Sequence, residues 1–268
     1  MFIDGPASRL WVEDVGAGDP VTVFAHGLGS SMEDLRALAA RVPGTVVLMD
    51  LRGHGRSDAP PPEAGYDHPA MRADVEHVAG RFGATNALGV SMGAGALLNL
   101  LCDVPDRFAR VALLIPSRLD DPCPDVEGTL RMASELETLS MDEVATRLLN
   151  LPELIPVLER DPRWYDQMRN QLLRMNSVGV PRAFRAYATG APPVTDPSCL
   201  RAVTAPVLVA GNAHDDGHPA DVARRIGDVL ANATVEIHDE DYDMFLDDLD
   251  AFGARLGRFL AGEPALAP

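Results

Sequence analysis

The stretch Gly89-Val90-Ser91-Met92-Gly93 stands between an apolar run and a helical pattern. The run Ala87–Val90 predicts a buried strand, and Met92–Cys102 predicts a helix. A serine on a sharp strand-to-helix turn adopts strained backbone angles, and a glycine two residues away on each side lets the chains pass without Cβ clashes. The N-terminus of the helix also presents free N–H groups to an oxyanion formed at the serine. We therefore predict a nucleophile elbow with Ser91 as the nucleophile.

Short apolar runs on both sides of this turn alternate with amphipathic helical patterns. Such alternation is typical of a mostly parallel central sheet with helices on both faces. The stretch Ser8–Val15 ends at a glycine-rich turn and predicts an antiparallel edge strand. The remaining predicted strands are Val21–Ala25, Thr45–Met49, Ala87–Val90, Val111–Ile115, Pro206–Ala210 and Thr234–Ile237.

The interval 117–204 departs from this alternation. It contains several prolines and no convincing strand, and its periodicity predicts helices over Thr129–Leu139, Met141–Leu149 and Pro162–Met175. We predict a helical cap at residues 117–204, inserted into a core formed by residues 1–116 and 205–268.

Composition limits the classes of partner. A net charge of −17 argues against nucleic acid and anionic membranes, which both attract a basic surface. All 23 basic residues are arginine, so chemistry that needs a lysine, such as pyridoxal phosphate attachment or a Walker A loop, is excluded. No apolar run reaches the roughly 18 residues of a membrane span. We expect a small-molecule substrate and leave a homo-oligomer open.

The three cysteines, Cys102, Cys123 and Cys199, are widely spaced and odd in number. This spacing predicts neither a metal site nor a disulfide framework, as is typical of a reducing compartment. The N-terminus shows no basic segment followed by an apolar run, so no secretory signal is visible. We therefore expect a cytoplasmic location.

Two further segments follow predicted strands: His26-Gly27-Leu28-Gly29-Ser30-Ser31 and Asp50-Leu51-Arg52-Gly53-His54-Gly55-Arg56-Ser57. With the serine motif and a later strand followed by G…D, this order resembles the α/β-hydrolase superfamily, and most closely its single-domain esterase, lactonase and haloperoxidase-like branch. The resemblance covers nearly the whole chain outside the cap. It implies a Ser–Asp–His triad, no metal or organic cofactor, and an oxyanion hole formed by the backbone N–H groups of Leu28 and Met92.

The resemblance places the catalytic acid just after the strand Pro206–Ala210, as G-x-x-D with a proline four residues beyond the acid. Counting from Gly211 gives His214, whereas counting back from Pro219 gives Asp215. Pro219 is the better reference because proline favours the start of a helix. We predict Asp215 as the acid, with Asp216 as the alternative.

The resemblance places the catalytic histidine after the last strand, but the sequence there has Tyr242. Counting forward from Thr234–Ile237 and back from Phe252 gives the same position. A tyrosine, with a pKa of about 10, costs roughly 4 kcal/mol to deprotonate at pH 7, whereas a histidine near 6.5 costs almost nothing. We predict that Tyr242 replaces the histidine and that an unassisted Ser91–Tyr242 pair is a poor acyl-transfer catalyst.

Three interpretations follow. His238 or His218 supplies the imidazole from a neighbouring position, and the protein hydrolyses small, mostly apolar esters or lactones through Ser91. Alternatively, Ser91 and Tyr242 serve as polar groups in a non-hydrolytic lyase, dehydratase or cyclase reaction. The third interpretation is ligand binding without efficient turnover. We expect the first, with His238 as the candidate base.

The cap and the oxyanion loop supply the candidate substrate-binding residues. Aromatic and sulfur-containing side chains of the cap are as typical of a helical core as of a pocket wall. The candidates are His26, Trp164, Tyr165, Met168, Phe184 and Tyr187.

Overall fold

The computed structural model describes residues 1–152, 154–160, 162–239, 245 and 248–263. Within them the chain forms an eight-stranded sheet in the order β1-β2-β4-β3-β5-β6-β7-β8. The first two strands run antiparallel to their neighbours, and the other six are parallel. The strands are β1 Phe2–Asp4, β2 Arg9–Gly16, β3 Val21–Ala25, β4 Thr45–Met49, β5 Asn86–Val90, β6 Arg110–Leu114, β7 Val207–Asn212 and β8 Ala233–His238.

Helices cover both faces of the sheet, because the apolar side chains of its central strands point alternately to the two sides. One core cluster joins the sheet to α2, α3 and α9, and a second joins it to α1 and α10. The helices are α1 Arg36–Ala39, α2 His68–Phe82, α3 Met92–Asp103, α4 Val126–Thr138, α5 Met141–Leu149, α6 Ile155–Arg160, α7 Pro162–Leu173, α8 Gly179–Thr189, α9 Ala220–Val229 and α10 Leu249–Ala261.

The mostly parallel sheet with helices on both faces is confirmed. The prediction that Ser8–Val15 is an edge strand is wrong, because β2 lies between β1 and β4. The actual edge strand, Phe2–Asp4, has only three residues and is too short to show an alternating pattern.

Helices α4 to α8 lie between β6 and β7 along the chain. The predicted helix Met141–Leu149 coincides with α5, and the other two predicted helices differ from α4 and α7 by a few residues at their ends. The division into a core and a cap with boundaries at 117 and 204 stays a prediction.

Cys102 and Cys199 form a disulfide, whereas Cys123 is buried and unpaired. The expectation of unpaired cysteines is therefore wrong. The two bonded residues are 97 positions apart, and they meet because α3 packs against the 3-10 helix Pro197–Ala202. The cytoplasmic location stays a prediction that the cysteines no longer support. Among the described residues, no helix has the length and apolar character needed to cross a membrane.

Candidate active site

Ser91 lies on a strained turn between β5 and α3. Its backbone angles are φ 50° and ψ −107°, in a region that residues other than glycine rarely adopt. A Cβ atom on Gly89 would lie 2.5 Å from the carbonyl carbon of Gly93, and one on Gly93 would lie 2.3 Å from the carbonyl oxygen of Ala25. Both glycines are therefore required for the chain to turn sharply at Ser91.

The loop after β3 packs directly against this serine. A Cβ atom built on Gly27 would lie 3.4 Å from the Cβ of Ser91, so the adjoining Leu28 is held beside Ser91. The side chain of His26 stabilises this loop through two hydrogen bonds. The Leu51 N–H donates to His26 Nε2 at 3.0 Å, which leaves the proton on Nδ1 to donate to the Gly27 carbonyl at 2.8 Å.

His26 is fully buried, and burial lowers its pKa, so the ring is neutral when it makes these two bonds. It does not line the substrate cavity described below. The structure thus places His26 beneath the loop after β3, where it both donates and accepts a hydrogen bond, rather than on the wall of the cavity.

The turn after β7 brings an imidazole and a carboxylate to Ser91. His218 Nε2 lies 2.9 Å from Ser91 Oγ, and His218 Nδ1 lies 2.8 Å from Asp215 Oδ2. The other carboxylate oxygen of Asp215 accepts the backbone N–H groups of Gly217 and His218 at 3.0 and 3.1 Å. Asp215 therefore shapes the turn and orients the imidazole at the same time.

Two opposing effects act on the pKa of Asp215. Burial raises the pKa, but the hydrogen bond and charge of His218 and the two backbone N–H groups outweigh burial and hold it below its usual value. The side chain of Asp215 is only 8% exposed, whereas Asp216 is exposed. Of the two carboxylates considered for the acid, Asp215 is the one that contacts an imidazole.

The structure places His218, not His238, against Ser91. His238 ends β8, where its ring packs edge-on against Phe252 at a centroid distance of 5.5 Å and its Nε2 lies 3.8 Å from a carboxylate oxygen of Glu236. Tyr242 lies outside the described residues, so its replacement of the histidine stays a prediction. Counting along the chain favoured His238 because it was closest to the expected position, but the direction of a side chain depends on the turn that carries it.

A cavity of about 240 Å³ opens above Ser91. Its wall is mostly apolar, with Asp34 as the one carboxylate among the described lining residues. The Asp34 carboxylate accepts the Ser30 hydroxyl at 2.7 Å and also pairs with Arg174, which directly follows α7. The described lining residues are Gly27, Leu28, Ser30, Asp34, Leu35, Val90, Ser91, Ile115, Trp164, Gln167, Met168, Gln171, His218 and Phe245.

Only two of the aromatic and sulfur-containing cap candidates line this cavity, namely Trp164 and Met168 in α7. Tyr165 is 43% exposed on the other side of that helix, since adjacent residues of a helix point about 100° apart. Phe184 packs in a hydrophobic cluster with α4 and α5, and Tyr187 lines a separate small cavity. The structure thus does not bring these last three to the substrate cavity.

No group of three or more histidine, cysteine, aspartate or glutamate side chains is arranged to hold a metal ion among the described residues. The chemical groups gathered at the cavity are a hydroxyl, an imidazole and a carboxylate in sequence, with a loop and a helix N-terminus beside them. This arrangement is suited to nucleophilic attack on a carbonyl carbon.

Comparison with known proteins gives the family and the fold. The model of the alpha/beta hydrolase family matches residues 22–255. The chain belongs to the alpha/beta hydrolase family. The fold is confirmed by an enol-lactonase from Burkholderia xenovorans LB400, which is 21% identical with a TM-score of 0.81 over 97% of this chain and 100% of the other. A thermophilic esterase from Thermogutta terrifontis is 21% identical with a TM-score of 0.78, covering 95% of each chain.

Among curated relatives, human protein ABHD8 is 26% identical over 93% of this chain and 57% of its own length. The chain spans between 33% and 58% of the length of the first curated relatives that it matches. As a member of the alpha/beta hydrolase family, the protein has the fold of a hydrolase.

Proposed function

We propose that this alpha/beta hydrolase cleaves small, uncharged carboxylic esters or lactones, with Ser91 as nucleophile, His218 as general base and Asp215 as the orienting acid. The observation that carries the proposal is the pair of hydrogen bonds of His218, to Ser91 Oγ at 2.9 Å and to Asp215 at 2.8 Å. These bonds support an imidazole supplied by the turn after β7, in place of the one that the family resemblance puts after the last strand.

The geometry supports the following reaction. His218 Nε2 accepts the Ser91 proton as Oγ attacks the carbonyl carbon, and Asp215 stabilises the imidazolium that forms. The N–H groups of Leu28 and Met92 bind the tetrahedral oxyanion; each such donor contributes roughly 3 kcal/mol. His218 then protonates the leaving alcohol, and an acyl-enzyme forms on Ser91. Water, deprotonated by His218, releases the acid and restores the serine.

The substrate class follows from the cavity. About 240 Å³ is below the roughly 300–1,000 Å³ of ordinary ligand pockets, which favours a small substrate. No arginine is found among the described lining residues to hold an anionic group, and the one carboxylate among them, Asp34, is already paired with Arg174. Leu28, Leu35 and Ile115 offer an apolar wall near Ser91. An uncharged acyl or alkyl group fits this lining best.

The test compares three variants on p-nitrophenyl acetate and butyrate, together with labelling by a fluorophosphonate. We expect Ser91→Ala and His218→Ala each to lower kcat/KM by at least about a thousandfold, because triad members act as a unit. The matched control is His238→Ala, which we expect to stay within about threefold of the wild type, since threefold is well below the contribution of a general base.

Two results would contradict the proposal. Loss of activity in His238→Ala with retention in His218→Ala would assign the base to the end of β8. A wild-type protein that neither hydrolyses these esters nor reacts with the fluorophosphonate would support the non-hydrolytic or ligand-binding interpretation.

A further inference from the structure

Gln167 and Gln171 are polar residues of the substrate cavity that the proposed reaction does not use. They are the only two glutamines in the sequence, and both lie in α7 and line the cavity that contains Ser91. Their spacing of four residues places them one turn apart on the same side of the helix, together with Trp164 and Met168. The side of α7 that lines the cavity thus combines two carboxamides with two apolar side chains.

Neither carboxamide has a partner within the part of the chain that the structure describes. Both side chains are partly buried, and neither forms a hydrogen bond with a described residue. A carboxamide carries two N–H donors and a carbonyl acceptor. Water satisfies such groups in an open cavity, but a substrate that displaces this water has to replace its hydrogen bonds. Gln167 and Gln171 are therefore available to bind a polar group of a substrate.

A third polar group, Asp34, lies near the same end of α7 as Gln171, because it pairs with Arg174 only three residues further along the chain. The side chain of Asp34 is 12% exposed. One carboxylate oxygen accepts the Ser30 hydroxyl at 2.7 Å and the Ser31 N–H at 3.0 Å, and the other faces Arg174. Both oxygens are thus occupied and the negative charge is compensated. A group bound at the glutamines meets donors and acceptors but no unpaired charge among the described lining residues.

This combination selects a particular class of substrate. An entirely apolar molecule would displace water from both glutamines and leave their N–H groups without acceptors, which is unfavourable. A charged group would lose its hydration without gaining a counter-charge. An uncharged group that both donates and accepts hydrogen bonds avoids both costs.

We propose that Gln167 and Gln171 form a polar subsite, which binds an uncharged amide or hydroxyl group of an otherwise apolar ester or lactone. The apolar part of such a substrate packs against Trp164 and Met168 on the same side of α7. The inference rests on the proposed function for the bond that is cleaved, whereas binding at the subsite does not require cleavage.

The first test therefore measures binding without turnover, in the full chain carrying Ser91→Ala. The ligands are two pairs of methyl esters of matched shape, in which a polar group replaces an apolar one: N-acetylglycinate with isocaproate, and β-hydroxybutyrate with isovalerate. Ligand-observed NMR gives the dissociation constants. We expect the ratio of Kd, apolar over polar ester, to fall by about tenfold in at least one pair when Gln167→Leu and Gln171→Leu are combined, because each neutral hydrogen bond contributes about two- to tenfold.

The matched control is Asn170→Leu, which removes a carboxamide from an exposed position of the same helix. It should change neither ratio by more than about twofold, as is usual for surface substitutions. The two single variants, Gln167→Leu and Gln171→Leu, take the place of the double variant if it does not fold. The subsite is refuted by ratios that stay at the parent value in both pairs, by a control that lowers them equally, or by a lack of binding of both polar esters.

The second test uses the active protein and the p-nitrophenyl esters of the same four acids. We expect the double variant to lower kcat/KM for the polar ester relative to its apolar partner by a similar factor, because a site built to hydrogen-bond a group discriminates against the analogue that lacks it. Failure of the subsite and failure of the proposed function are distinguishable. Hydrolysis with unchanged ratios would overturn the subsite alone. A binding preference that depends on the glutamines, without any hydrolysis when Ser91 is present, would overturn the proposed function alone.

Discussion

At the scale of single residues, the pair Asp215 and His218 determines what Ser91 can do. Asp215 accepts hydrogen bonds from the imidazole of His218 and from two backbone N–H groups. Its carboxylate therefore favours the tautomer of His218 with the proton on Nδ1 and also stabilises the turn after β7. We predict that Asp215→Asn lowers kcat/KM on p-nitrophenyl butyrate by about 10³- to 10⁴-fold, because an amide can leave the imidazole in the wrong tautomer. Steady-state kinetics would measure the loss.

The neighbouring carboxylate provides the control for this variant. Asp216 is exposed, so Asp216→Asn should keep wild-type kinetics while removing the same charge one position away. A larger loss in Asp216→Asn than in Asp215→Asn would mean that the two carboxylates exchange places in solution and that Asp215 is not the orienting acid.

The sequence located part of this site. Ser91 follows from glycines spaced for a sharp turn, and Asp215 follows from Pro219 at the start of the next helix. His218 was considered only as an alternative, since the family resemblance directs attention to the end of β8. The spacing D-x-x-H in Asp215–His218 was the available signal, because residues three apart in a tight turn can point to the same side.

At the scale of elements, α7 forms one wall of the cavity, and we expect substitutions on its two sides to affect substrate preference differently. Met168 faces the cavity, whereas Tyr165 is exposed on the same helix. We predict that Met168→Ala raises the ratio of kcat/KM for p-nitrophenyl octanoate over acetate by about tenfold, because each methylene accommodated in an apolar pocket contributes about 1–3 kcal/mol. Tyr165→Ala should leave this ratio unchanged.

A ratio that changes equally in both variants would show that loosening of α7, rather than the side chain on the cavity wall, controls the preference for acyl-chain length. Sequence periodicity predicted α7 as a helix but not which of its side chains face the cavity. That choice depends on how the helix packs on the core, and Leu28 and Leu35, which line the same cavity, are far away from α7 in the sequence.

The strands differ in how well their bounds could be predicted from the sequence. Buried parallel strands are continuous apolar runs, so Val21–Ala25 and Thr45–Met49 could be predicted with the bounds that the structure has. The three-residue β1 carries no pattern of its own and exists because β2 offers it a free edge. Short edge strands of this kind are determined by pairing rather than by their own sequence.

At the scale of the whole molecule, buried histidines couple the fold to pH. His54 is fully buried, and burial lowers its pKa to about 3. In the unfolded chain its pKa is about 6.5, so below that pH the unfolded state binds a proton that the folded state excludes. The contribution of His54 to the free energy of unfolding is therefore present above pH 6.5 and decreases as the pH falls, until the folded residue titrates near 3.

We predict that His54 accounts for a loss of about 2 kcal/mol in the free energy of unfolding between pH 7 and pH 5. His54→Asn keeps a donor for the Arg52 carbonyl and should make the pH dependence shallower by that amount, measured by urea unfolding at both pH values. His77→Asn, at an exposed position of α2, is the control. Equal slopes for His54→Asn and the wild type would show that His54 is protonated in the folded protein.

Because Asp215 and His218 are only three residues apart, they can be exchanged between related proteins as one segment. When the acid and the imidazole lie in one short turn, a single recombination or loop exchange transfers both residues together. No second change elsewhere in the chain is then required. Under the proposed mechanism, the segment after β8 does not have to supply the imidazole. A protein engineer can therefore graft the pentapeptide Asp215–Pro219 as one segment after the equivalent strand of another protein with this fold.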